Sequence, residues 1–276
     1  HTVRRKEPVF PLETSRGCVY ECVYCNKSIF GNKFREKSPE RVMQDLRKIA
    51  ELGYNEVHIV DDGFTTNMKR AKEICRLIIK ENIHLLFNCC NGIRVDRIDE
   101  ELLSLMKKAK FFRVSLGIES GSQAILDKVD KKMKLESYVN AIKMFKKAGI
   151  ETLAYFMFGL PDEREGDLKK TIAFAKKLKP TMAKFSITIP FPSTPLFEEW
   201  EKKGYILSKN WDDYGFYQEK KIYEHPNLSW EMLTKYLDMS YKSFYFSPSY
   251  MISRFVSSIK NGSLVDDLKM AARIKW

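Results

Sequence analysis

No apolar run in this chain approaches the roughly 18 residues that a membrane-spanning helix requires. No secretory or lipidation signal is visible either, so a reducing, cytoplasmic setting is expected, one that suits free thiols. Histidine is scarce, with 4 residues, and none lies near the clustered cysteines. An initiator methionine is missing: the chain begins His1-Thr2-Val3 and reads as a processed product or a piece of something longer. Cysteine is sparse as well, with 6 residues, and Cys75, Cys89 and Cys90 form no second close-spaced motif. Without a signal peptide, a disulfide framework in a chain of 276 residues is not expected.

What is present describes a globular protein. A hydrophobic content of 44% and 276 residues suit one large α/β domain, or a domain with an appendage. The net charge of +12 permits an acidic partner such as nucleic acid or an anionic membrane surface. Yet the lysines are scattered, as in Lys107-Lys108, Lys131-Lys132 and Lys176-Lys177, and mostly sit near acidic residues. That pattern reads as a solvated surface and gives no specific evidence of nucleic-acid binding.

The three remaining cysteines, Cys18, Cys22 and Cys25, fall within ETSRGCVYECVYCN, residues 13–26. Spacing this tight lets three thiolates converge on one metal centre. Zinc sites usually combine two close pairs or include histidine, which this loop lacks. Iron–sulfur clusters are normally held by four cysteine thiolates, so three would leave one iron open to a non-protein ligand.

Around this loop the chain alternates strand and helix at intervals of about thirty residues, the length of β–α units. A first strand is expected at 12–15, then a helix opened by Ser38-Pro39 and closed by Gly53. Further strands are expected at 56–60, 83–87, 112–118, 150–158 and 183–189. Helices are expected at 67–81, 99–109, 135–148 and 167–178. Six such units with right-handed crossovers imply an α/β fold with a parallel sheet, an open (β/α)6 partial TIM barrel whose site lies at the C-terminal strand ends. The expected divisions are an N-terminal lead at 1–11, the core at 12–205 and a mainly helical, aromatic-rich extension at 206–276. In that extension helices are read from Ser229-Trp230-Glu231, near 248–259 and at 265–274, with aromatic residues packing on the barrel flank.

The C-x-x-x-C-x-aromatic-C run of Cys18, Cys22, Tyr24 and Cys25 resembles the signature of the radical S-adenosylmethionine (radical SAM) superfamily. The resemblance implies that these three cysteines hold a [4Fe–4S] cluster, that SAM binds its fourth iron, and that Tyr24 is among the residues that fix SAM. Reductive cleavage of SAM to methionine and a 5′-deoxyadenosyl radical is then the expected activity. Asp61-Asp62-Gly63-Phe64 falls where the family binds the amino group of SAM, although both aspartates could instead cap the following helix. Glu119, in Gly117-Ile118-Glu119-Ser120, falls where the family faces the ribose hydroxyls. Gly159, in Phe158-Gly159-Leu160-Pro161, is expected to bring backbone to the adenine. Arg94 matches an arginine suited to a carboxylate, or else a structural ion pair with Asp96 or Asp99. Cys75 reads as core, and Cys89 and Cys90 as buried thiols rather than site groups. Pro190-Phe191-Pro192-Ser193-Thr194-Pro195 resembles a further family segment, with Ser193 where glycine is usual.

As a set, these motifs over about residues 12–200 resemble the branch whose members carry a cobalamin-binding domain ahead of the barrel. This implies the catalytic part of a cobalamin-dependent methyltransferase or related enzyme, with cobalamin held by a domain that this chain does not carry. The alternative is a self-sufficient radical SAM oxidoreductase without cobalamin. A tRNA-modifying methylthiotransferase and a non-enzymatic iron–sulfur or RNA-binding protein are weaker readings. The resemblance also implies an electron donor such as flavodoxin or ferredoxin, and a small-molecule or lipid substrate that the sequence does not name.

Overall fold

A computed structural model of the chain describes residues 5–28, 31, 33–215 and 220–261. The expected helix at 265–274 lies outside these residues. Six strands form one sheet in sequence order, each parallel to the next: β1 (Val9–Leu12), β2 (Glu56–Ile59), β3 (Leu86–Cys89), β4 (Phe111–Glu119), β5 (Glu151–Phe158) and β6 (Met182–Ile187). The connecting helices are α1 (Pro39–Glu51), α2 (Met68–Lys80), α3 (Glu100–Lys108), α4 (Gln123–Lys128), α5 (Leu135–Ala148) and α6 (Glu165–Leu178). After β6 come α7 (Pro195–Lys202), α8 (Trp230–Tyr245) and α9 (Pro248–Asn261). The alternation read from the sequence is therefore the architecture.

Local chemistry sets the helix ends. Ser38, Asn67, Asp99, Thr194 and Ser229 each accept a backbone N–H at the start of a helix, and Pro39 and Pro195 occupy first-turn positions where no donor is lost. Apolar stripes such as Val42, Met43, Leu46 and Ile49 on α1 then bury against the sheet.

Two strands sit elsewhere than expected. The first runs over Val9–Leu12 rather than 12–15, because the polar groups of Thr14 and Ser15 bind Asp61 instead of continuing the ladder. The third runs over Leu86–Cys89 rather than 83–87, since Asn82 takes a left-handed turn (φ +50°) and pairing with β2 begins at Leu86.

An open sheet leaves unpaired groups at its last strand, and here the aromatic extension covers them. The Tyr245 hydroxyl donates to the Ala183 carbonyl (2.6 Å) and accepts from the Ala183 N–H (3.1 Å). One helical turn earlier, Tyr241 does the same at Phe185 (2.9 and 3.1 Å). Tyr250 donates to the Thr181 carbonyl at 3.2 Å. Beneath them Phe156, Phe158 and Phe185 stack, with Tyr241 and Phe244 edge-on to Phe185. The extension thus seals an edge that would otherwise template pairing with another chain.

Candidate active site

The cysteine loop leaves β1 and is fastened at both ends. On one side Asp61, at the end of β2, accepts the Thr14 N–H (2.6 Å) and the hydroxyls of Thr14 (2.5 Å) and Ser15 (2.7 Å). Asp62 accepts the Gly17 N–H at 2.9 Å. The buried Arg70 donates to the carbonyls of Thr14 (2.8 Å) and Lys37 (2.7 Å). Gly17 takes φ +85°, and a Cβ there would collide with the Lys33 carbonyl oxygen, so only glycine fits. On the far side the Val23 N–H donates to the Val129 carbonyl, the Leu196 N–H to the Val23 carbonyl, and the Asn26 amide to the Pro192 carbonyl. The two aspartates therefore hold the loop, and the cap of α2 falls to Asn67.

Cys18, Cys22 and Cys25 line one cleft of about 300 Å³, together with Tyr24, Asp62, Arg94 and Glu119. That volume is at the small end of ligand pockets. Although solvent reaches Cys25, desolvation in the cleft, followed by the neighbouring Cys18 and Cys22, pushes its thiol up to about 11. Metal binding must displace that proton, because thiolate is the ligand. Among the described residues no three His, Cys, Asp or Glu side chains converge as one metal ion would require. A cluster makes a different demand, since each thiolate binds its own iron and the sulfurs surround a larger body. Three thiols lining one cleft are a donor set that fits a cluster bound at three corners.

Glu119 lines the same cleft as the thiols. Pairing between β4 and β5 slips at Gly117–Glu119, and Glu119 itself has φ +69°. A bulge of this kind re-aims a side chain next to a site. The carboxylate binds the Lys131 ammonium at 2.9 Å, and the same ammonium reaches the Tyr24 hydroxyl at 3.1 Å. A Cβ at Gly117 would sit 2.5 Å from the Glu119 Oε1 and 3.1 Å from the Lys131 Nζ, so this glycine leaves the pair its space. Burial pushes the Lys131 ammonium down, but the Glu119 carboxylate outweighs it and holds its pKa well above the usual range. Desolvation, with Glu119 second, raises Tyr24, and desolvation pushes Tyr138 up to about 12. Both phenols therefore stay neutral at physiological pH.

Arg94 lines the cleft and also makes the anticipated ion pair. Its Nε and Nη2 donate to the two oxygens of Asp96 (3.0 Å each), and Nη1 and Nη2 donate to the carbonyls of Lys131 (3.1 Å) and Lys132 (3.2 Å). Its guanidinium carbon lies 3.6 Å from the centroid of the Tyr20 ring. Four of five N–H donors are thus engaged within the protein.

Gly159 is not brought to the cleft. Its N–H donates to Glu163 at 2.6 Å, and a Cβ there would meet the Tyr223 hydroxyl at 2.7 Å, under the extension. Cys75 and Cys89 are buried and Cys90 points its thiol at the Ile59 carbonyl. None of these three lines the cleft.

Sequence reasoning missed Lys131 by grouping it with Lys132 as solvated surface. That holds for Lys132, whose side chain is 61% exposed, but the Lys131 side chain is only 13% exposed. Left-handed turns at Asp130 (φ +53°) and Lys132 (φ +50°) flank it. Short-range charge pattern carries no sign of such a turn. Tyr138, which lines the cleft and donates to the Gly117 carbonyl at 3.1 Å, was legible only as an aromatic on the buried stripe of α5.

Comparison with known proteins places this geometry. The radical SAM superfamily profile matches residues 12–175. The chain is 35% identical over 247 residues to an uncharacterised methyltransferase of Pyrococcus horikoshii, covering 89% of this chain and 53% of that protein. It is 30% identical over 205 residues to the anaerobic magnesium-protoporphyrin IX monomethyl ester cyclase of Rubrivivax gelatinosus, covering 73% and 36%. The chain thus spans about half or less of the length of these relatives. Among solved structures, the radical SAM methyltransferase TsrM from Kitasatospora setae, with tryptophan substrate and a SAM analogue bound, matches with TM-score 0.66 at 22% identity over 71% of this chain and 39% of that one. The cobalamin-dependent radical SAM enzyme OxsB matches with TM-score 0.65 at 17% identity, covering 92% and 45%. At those identities the structural likeness shows the shared partial-barrel fold. From the profile match, together with the thiol-lined cleft at the strand ends, this chain belongs to the radical SAM superfamily.

Proposed function

We propose that this chain is the catalytic barrel of a radical SAM enzyme, most closely aligned in function with cobalamin-dependent methyltransferases. The observation that carries the reading is that three thiols and the Glu119–Lys131 pair line one cleft. When bound there, the cluster and SAM supply a 5′-deoxyadenosyl radical for hydrogen abstraction. The residues have separable tasks. Cys18, Cys22 and Cys25 hold three irons, and Asp61, Asp62 and Gly17 fix the loop that presents them. Glu119, paired with Lys131, accepts the ribose hydroxyls of SAM. Lys131 and Arg94 present cationic surface to its carboxylate. Tyr24 braces Lys131, and Asp62 takes the SAM amino group alongside its bond to Gly17. Gly159 supports the adenine side indirectly, through the turn that Glu163 ties together.

The methyltransferase reading rests on relatives such as the cytidylyl-2-hydroxyethylphosphonate methyltransferase of Streptomyces wedmorensis, 30% identical over 204 residues. In this reading cobalamin is held outside this chain, a flavodoxin- or ferredoxin-like donor reduces the cluster, and residues 206–276 form an extension to a core at 12–205.

The test is anaerobic reconstitution with iron and sulfide, followed by mass spectrometry for 5′-deoxyadenosine with SAM and a strong reductant. Formation by the parent chain and its abolition in Cys22→Ala are expected. A loaded cluster that neither binds nor cleaves SAM would overturn the assignment. Adding cobalamin and following S-adenosylhomocysteine tests methyl transfer.

A further inference from the structure

At the opposite end of the barrel from the thiols, where β5 and β6 begin, lies a groove of about 530 Å³. Arg5, Lys107, Lys146, Lys176, Lys179 and Arg254 line it, and Glu151 is the one carboxylate among its lining residues. That carboxylate is already engaged by Arg5 and Arg113. Lys146, Lys176 and Lys179 enter no ion pair among the described residues and are exposed. Lys107, Lys146 and Lys176 each sit in the last turn of a helix, where a cation complements the helix dipole. Dipole complementation accounts for each lysine alone. It does not account for their convergence on one groove.

Helix α9 borders this groove through Arg254 and Val256. Along it Met251, Ile252, Phe255, Val256 and Ile259 recur at one helical face and are 46–67% exposed. An apolar stripe this long on a soluble surface marks a contact site. The two features adjoin, and together they select the occupant. Nucleic acid would answer the cations and leave the stripe in water. A second copy of this chain would answer the stripe and bring like charges together. A bilayer containing anionic lipids answers both, with acyl chains for the stripe and headgroups for the lysines.

We propose that the basic groove and the apolar face of α9 form one docking surface for an anionic membrane. The cleft then opens on the end away from the lipid.

The experiment is co-sedimentation of the full chain with vesicles of phosphatidylcholine alone or mixed with phosphatidylglycerol. Binding to the mixed vesicles, weakened by salt, is expected. At about fivefold per surface lysine, Lys146→Glu/Lys176→Glu/Lys179→Glu should weaken it by at least tenfold. Ile252→Gln/Phe255→Gln should also abolish sedimentation. A control of equal charge, Lys48→Glu/Lys80→Glu/Lys202→Glu, should keep most of the binding, and circular dichroism verifies that each variant is folded. Failure of the parent to bind the mixed vesicles, equal binding to neutral ones, or binding that survives either site variant would overturn the proposal. Loss of self-association rather than vesicle binding in the α9 variant would do so too, assigning the face to a second copy.

Discussion

Replacing Glu119 by glutamine tests whether the carboxylate and Lys131 act as one unit. Both side chains are largely buried, at 9% and 13% exposure, and meet at 2.9 Å. Removing one partner of a buried pair costs about 3–5 kcal/mol when the other charge is left without compensation. Glutamine keeps an oxygen within reach of the ammonium, and the Tyr24 hydroxyl remains at 3.1 Å, so the expected loss is smaller, about 1–3 kcal/mol. Lys131→Met should cost more, because it strands a carboxylate beside the phenols of Tyr24 and Tyr138. If the two form a unit, the double variant costs less than the sum of the single variants, with a coupling of about 1–3 kcal/mol. Urea unfolding of the metal-free chain measures this cycle, and equilibrium SAM binding to the reconstituted protein measures the same cycle at the site. Additivity within about 0.5 kcal/mol in both assays would refute the claim that Glu119 and Lys131 act as one unit.

Further outcomes follow from single contacts. Ser193 holds φ +65° where glycine carries no penalty, so Ser193→Gly should raise stability by up to about 1 kcal/mol in urea unfolding, after the entropy that glycine adds to the unfolded chain. Tyr245→Phe removes the hydroxyl that serves both backbone groups of Ala183, and a loss of about 1–3 kcal/mol is expected, with no change in cluster loading. Burial raises the Glu163 carboxyl to about 8, outweighing the N–H groups of Gly159 and Leu160. The native state therefore keeps a proton that the unfolded chain releases above about pH 4.5, and stability falls as pH rises from there towards 8. In Glu163→Gln that decline should flatten, seen as a smaller difference in Tm between pH 5 and pH 8; an unchanged slope would show that Glu163 is not its source.

Much of this molecule is fixed by residues acting over short range. The alternation of strand and helix follows from apolar periodicity, Ser38, Asn67 and Asp99 as caps, and Gly149 in the left-handed turn that ends α5. The thiol spacing in residues 18–25 was legible directly, and the family resemblance pointed to Tyr24, Asp62, Arg94 and Glu119, which line one cleft with the thiols. Tertiary structure alone decided the rest. It turned Lys131 inward to pair with Glu119 across 12 residues of sequence, and it drew Gly159 under Tyr223. It bound Thr14 and Ser15 to Asp61, 46–47 residues away, ending β1 early. It also set Tyr241 and Tyr245 against the backbone of β6, a partnership over 56 and 62 residues. The physical reason is common to the three polar pairings, those of Lys131, of Thr14 and Ser15, and of the two tyrosines. Each depends on a buried polar group that must find a partner, and the partner is chosen by the packing of distant segments rather than by neighbours in sequence.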